Sequence, residues 1–103
     1  MSEAAGRGIP EEVFLDRVAW LCSAGEGLSP VGAGLLVALH LGICNDSRTF
    51  ARLFGIAHAL VLREVTELDE GHGFLHVVDR NARTQRTVIT LTDTAAALLQ
   101  RFP

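Results

Sequence analysis

The chain has 103 residues, 49% of them apolar, enough for one modest core and too short for several domains. Its net charge of −3 argues, taken alone, against a nucleic-acid partner, because such proteins usually carry a basic surplus. The distribution says more than the sum: all nine basic residues are arginine, and six (Arg48, Arg52, Arg63, Arg80, Arg83 and Arg86) lie between positions 48 and 86.

Residues 1–8 are small, polar and glycine-containing, which predicts a loose tail ahead of one domain over 9–103. Pro10 suits the first turn of a helix, Glu11 and Glu12 favour its positive end, and Val13, Phe14, Val18, Leu21 and Cys22 form a stripe to about Ala24. In "GEGLSP" a turn ends with Ser29 as a cap and Pro30 as the first residue of a second helix. That helix is apolar nearly all round, so it belongs at the centre of the core. Beyond it come a short extended bridge at Ile43 and Cys44, a cap at Asp46 or Ser47, and a third helix closed by Gly55.

A turn of two or three residues then leads into a fourth helix, with Ile56, Val61, Val65 and Leu68 on its inner face. Of Leu60 and Leu62, at least one must face outward if Val61 and Val65 face in. "GFLHVV" and "RTVITLT" read as two strands joined by the polar loop "DRNARTQ". Thr92 or Asp93 caps a closing helix carrying Ala96, Leu98 and Leu99. The fold class is therefore mainly α with a small β-hairpin.

Several classes find no support. "VGAGLLVALHLGI" is broken by glycine and histidine and falls short of the roughly 20 residues that span a bilayer. The start lacks the charged-then-apolar layout of a secretory signal, so a cytoplasmic protein without membrane contact is expected. Cys22 and Cys44 lack CxxC spacing and are expected as buried thiols, not a disulfide. His40 with Cys44, and His72 with His76, are four apart, but a helix end and a strand spoil both pairs as metal ligands. Neither a nucleophile triad nor a phosphate-binding glycine loop is present, so neither an enzyme nor a cofactor is expected.

From "LFG" to "DTA", the run "LFGIAHALVLREVTELDEGHGFLHVVDRNARTQRTVITLTDTA" resembles the multiple-antibiotic-resistance regulator (MarR) family of winged-helix transcription factors. Gly55-Ile56 matches the family's turn, Leu68-Asp69-Glu70 with Gly73-Phe74 the end of its recognition helix, and Val88, Leu91 and Thr92 its strand exit. The resemblance implies a winged helix-turn-helix protein that regulates transcription as a homodimer on double-stranded DNA, as a short member lacking the long terminal dimerisation helices. It places the fourth helix in the major groove and the hairpin, as the wing, over the minor groove. In that scheme His58 and Arg63 approach bases, Arg80, Arg83 and Arg86 carry wing contacts, and Arg48 and Arg52 hold phosphate. Where the family has Asp-Arg-Arg, this chain has Arg83-Thr84-Gln85-Arg86, leaving Asp79 as the candidate acidic partner of the wing arginine. Ala57 stands where the turn usually has Ser or Thr.

Two alternatives stay open. The same framework serves as a protein-protein interaction module that has lost DNA binding, docking through Ala57, Leu60 and Leu62. Phe14, Trp20, Leu99 and Phe102 either form a dimer surface through the terminal helices or simply fill the core.

Overall fold

A computed structural model describes residues 9–103; the expected tail over 1–8 lies outside the described residues. Helix α1 (Glu11–Cys22) starts after Pro10, α2 (Pro30–His40) after Ser29, α3 (Ser47–Phe54) after Asp46, and α4 (His58–Thr66) after Ala57. A π-helical turn over Glu67–Gly71 prolongs α4. Strands β1 (Leu75–Arg80) and β2 (Thr87–Leu91) form an antiparallel hairpin, and α5 (Asp93–Leu99) closes the chain. The described chain is thus mainly helical with one small two-stranded sheet, as expected from the sequence.

Local chemistry accounts for most boundaries. Ser29 Oγ accepts the Gly32 amide, Asp46 Oδ2 the Thr49 amide and Thr92 Oγ1 the Ala95 amide, three side-chain caps on otherwise orphaned donors. Ala57 supplies no such oxygen, so α4 begins uncapped. Gly55 closes α3 at φ 65°, a left-handed conformation that costs a residue with Cβ.

The core is built around α2, whose residues from Gly32 to Ala38 are all buried. Leu21 of α1, Phe50 of α3, Val61 and Val65 of α4, Leu68, Leu75, Ile89 and Leu99 pack against it. Gly32 has a specific reason: a Cβ there would sit 3.0 Å from Glu64 Oε1 and 3.2 Å from Ser29 Oγ. Its absence lets Ser29 both cap α2 and donate to Glu64 on α4 at 2.9 Å.

Three expectations need correcting. The extended bridge is not at Ile43 and Cys44 but at Asp46, opposite Val88, where the Ile89 amide also donates to the Asn45 carbonyl. Pairing with β2 decides this, and pairing is not a local property. Asp79 and Arg80 belong to β1, not to the loop, since Asp79 pairs with Val88 and Arg80 with Thr87 after a register shift between Val77 and Asp79. Helix α1 ends at Cys22, with Ser23 and Ala24 in the closing turn.

Trp20 and Phe102 meet edge-to-face at 5.7 Å, with the Arg17 guanidinium 4.5 Å above the Phe102 ring. Phe14 stacks on Phe54, and Leu99 is buried. All four bulky residues are therefore engaged within the chain.

Candidate functional site

Three elements converge where α3 begins. Asp46 is extended and buried at 2% exposure, and its Oδ2 receives both the Thr49 amide at 2.9 Å and Arg86 Nε at 3.2 Å. Burial alone would raise the carboxyl pKa. The hydrogen bonds from Thr49 and the Arg86 guanidinium outweigh it and hold Asp46 below the usual carboxylate range. One residue on, the fully buried Ser47 Oγ accepts the Thr87 amide at 3.0 Å and lies 2.7 Å from His58 Nε2. Next, Arg48 Nη2 donates to the Thr84 carbonyl in the hairpin loop at 2.7 Å. Consecutive residues Asp46, Ser47 and Arg48 thus fasten the hairpin, and Ser47 fastens the head of α4 as well.

The hairpin loop is itself ordered by one side chain. Asn81 Oδ1 accepts the Arg83 and Thr84 amides, while the Asn81 amide and carbonyl bond to Arg86 and Gln85. Gln85 takes the strained φ of 63° that closes this turn.

The sequence-predicted residues fall into distinct positions. Arg48, Arg52 and His58 line one groove of about 370 Å³, with Ala51 and Ile56 as its apolar floor. Arg83 is exposed at the hairpin tip, and Arg48 bonds to the same loop. Arg80 lies on β1 with Nε donating to Thr87 Oγ1, so its guanidinium is steered along the strand. Arg86 is held by Asp46 and has half its side chain exposed. Arg63 lies apart, on the outer side of α4, lining a cleft with Ser29, Glu64, Glu67 and His72.

Two details depart from the sequence reading. The acidic partner of Arg86 is Asp46, not the expected Asp79, because the β2 pairing carries Arg86 onto the α3 cap. His58 turns its Nε2 inward to Ser47, so it does not present that nitrogen outward. Its pKa lies below the ordinary histidine value, first because of desolvation and then because of the Arg48 charge, against a smaller opposing pull from Asp46. Asp46 and Ser47 are legible in the sequence only as caps, and Thr84 and Thr87 carry no signal there. Nothing in the linear order flags partners about 40 residues away.

On another face, Phe14, Leu15, Val18, Pro30, Val31, Gly34, Phe50, Phe54 and Ile56 line an almost wholly apolar groove of about 230 Å³. Leu15 in its lining and Leu53 on α3 are both more than half exposed. Leu60 and Leu62, by contrast, are both only partly exposed.

Cys22 and Cys44 are free, half-buried thiols packed against the core. Burial, then the Asp46 carboxylate, pushes Cys44 up to about 11, leaving it protonated and unreactive at neutral pH. Among the described residues no histidine, cysteine and carboxylate cluster could hold a metal ion, and no helix is long and apolar enough to cross a membrane. Comparison with family models, curated proteins and solved structures found no match.

Proposed function

We propose that this chain is a MarR-like winged-helix DNA-binding protein acting as a transcriptional regulator. In this reading α3, the Gly55–Ala57 turn and α4 make the helix-turn-helix, and the β1–β2 hairpin is the wing. The observation that carries it is the Arg48 bond to the Thr84 carbonyl, which joins the arginine groove of α3 and α4 to the hairpin loop as one surface. Guanidinium groups suit phosphate because they stay charged and donate in pairs. The outward side of α4 beyond Arg63 carries exposed Glu67 and Glu70, which repel phosphate. Contact is therefore confined to α4 as far as Arg63, the groove and the hairpin tip. Arg52, Arg48 and Arg83 hold backbone, and Arg63 is the donor left for a base edge. Arg86 acts mainly by holding the wing in place.

A homodimer fits this reading, because paired half-sites need two copies. Since Trp20 and Phe102 are spent within the chain, the apolar groove that Leu15 and Phe54 line offers a surface for the second copy. That groove also favours the alternative of a protein-docking module without DNA binding, through this face and not through Leu60 and Leu62.

Titration of mixed-sequence duplex DNA by fluorescence anisotropy, at two salt concentrations, tests the proposal. Binding should weaken steeply as salt rises, and Arg52→Ala with Arg83→Ala should flatten the log–log slope by about 0.9 for each phosphate no longer neutralised. Absence of binding at low salt, or an unchanged slope, would favour the docking module.

A further inference from the structure

We infer that the Ser47–His58 hydrogen bond is a proton-operated latch, tying the head of α4 to the base of the hairpin through α3. Donors and acceptors decide it. Ser47 Oγ already accepts the Thr87 amide at 3.0 Å, and it is fully buried, so no water serves it. Its one hydrogen therefore goes to His58 Nε2 at 2.7 Å, which must carry a lone pair. The imidazole is neutral, with its proton on Nδ1.

A second proton on the ring would occupy Nε2. Two donors would then face the hydroxyl, and the Ser47 hydrogen would lose its acceptor; among the described residues Ser47 Oγ has no third side-chain or amide partner. Of the charged groups around the ring, Arg48 favours the neutral form and Asp46 opposes it more weakly. From α3, Arg48 and Arg52 line the same groove as His58. From the α3 cap comes Asp46, whose charge is already paired with Arg86 of the hairpin. Along the chain the residues next to it, Ala57 at the cap and Ala59 and Leu60 in α4, carry no charge, and Thr87 of the hairpin, which shares Ser47 with the ring, is uncharged as well. Desolvation and the Arg48 charge lower the His58 pKa in the same sense.

Acid releases the latch: a protonated His58 leaves Ser47, and the Thr87 amide loses the hydroxyl orientation on which it depends. An anion seated between Arg48 and Arg52 acts in the same direction, because its charge favours the imidazolium. The latch belongs to the free protein, and its test does not require the DNA reading to hold.

The test follows the His58 ring and Thr87 amide resonances of the full chain by NMR from about pH 8 to about pH 4.5, a window spanning the ordinary histidine value of about 6.5. The expected result is a shared midpoint below that value. In His58→Gln, whose amide oxygen can still accept from Ser47 but does not titrate, the Thr87 resonance should stay still over that window. Ser47→Ala should bring the His58 midpoint back up; if that variant fails to fold, the Gln variant decides alone. A His58 midpoint at or above the ordinary value, or a Thr87 shift that persists in His58→Gln, would overturn the latch. Inorganic phosphate should raise the His58 midpoint in the wild type, and an unmoved midpoint would remove the anion from the release step.

Discussion

Replacing Arg86 with alanine separates an anchoring arginine from a free one. Asp46 is nearly inaccessible, and losing Arg86 would leave its carboxylate with Thr49 as its partner and no opposite charge beside it. Breaking a fully buried pair costs about 3–5 kcal/mol. Half of the Arg86 side chain is exposed, however, so solvent screens the pair and relieves the stranded carboxylate. A cost of about 1–2 kcal/mol is the consequence. At about 4–8 °C per kcal/mol for a domain approaching this size, the thermal midpoint should fall by about 5–15 °C. Arg83→Ala, at an exposed loop position, should stay within about 0.5 kcal/mol. The assay is circular-dichroism melting at neutral pH, with Asp46→Asn as the third arm. Asparagine caps a helix as well as aspartate does, so this change removes the charge and keeps the cap. In that background Arg86→Ala should cost little more, since the pair is already gone. Equal melting of the Arg83 and Arg86 variants, or full additivity of Arg86→Ala with Asp46→Asn, would refute the anchor.

Three further outcomes follow from the same contacts. Because the Asp46 pKa is lowered on folding, its ionised form contributes stability that is complete above the unfolded value of about 3.9 and is lost as pH falls through the folded one. The difference in midpoint between wild type and Asp46→Asn should hold steady above about pH 5 and shrink below about pH 4, as read by melts in a pH series. Ser29→Ala removes the α2 cap and the bond to Glu64, so denaturant unfolding should show a loss of about 1–2 kcal/mol. Gln85→Gly relieves the positive φ at the hairpin turn and should raise stability by up to about 1 kcal/mol, unless the Gln85 bond to Ala82 compensates, which Gln85→Ala would expose by melting well below wild type.

The features legible in the sequence are those decided within a few residues. Ser29 before Pro30 and Gly55 after α3 stand where the sequence puts them, and Asp46 and Thr92 settle the choices the sequence left open with Ser47 and Asp93; all four act through bonds spanning three or four positions. The Val61, Val65 and Leu68 stripe is likewise set by helical periodicity, and the unbroken apolar run of α2 required burial on every side. What only the tertiary structure decided is where side chains of unlike elements meet. The strand register, shifted between Val77 and Asp79, carries Arg86 to Asp46 and away from any role for Asp79 as its partner. Thr87 reaches Ser47 across 40 positions, and Arg48 reaches the Thr84 carbonyl across 36. Trp20 finds Phe102 because α1 and the end of the chain lie side by side. Such contacts depend on how α2 orients its neighbours, and no local propensity encodes that orientation. This is why the arginines were visible as a set from composition, while their division into anchored Arg86, steered Arg80 and exposed Arg83 waited for the packing of the hairpin on α3.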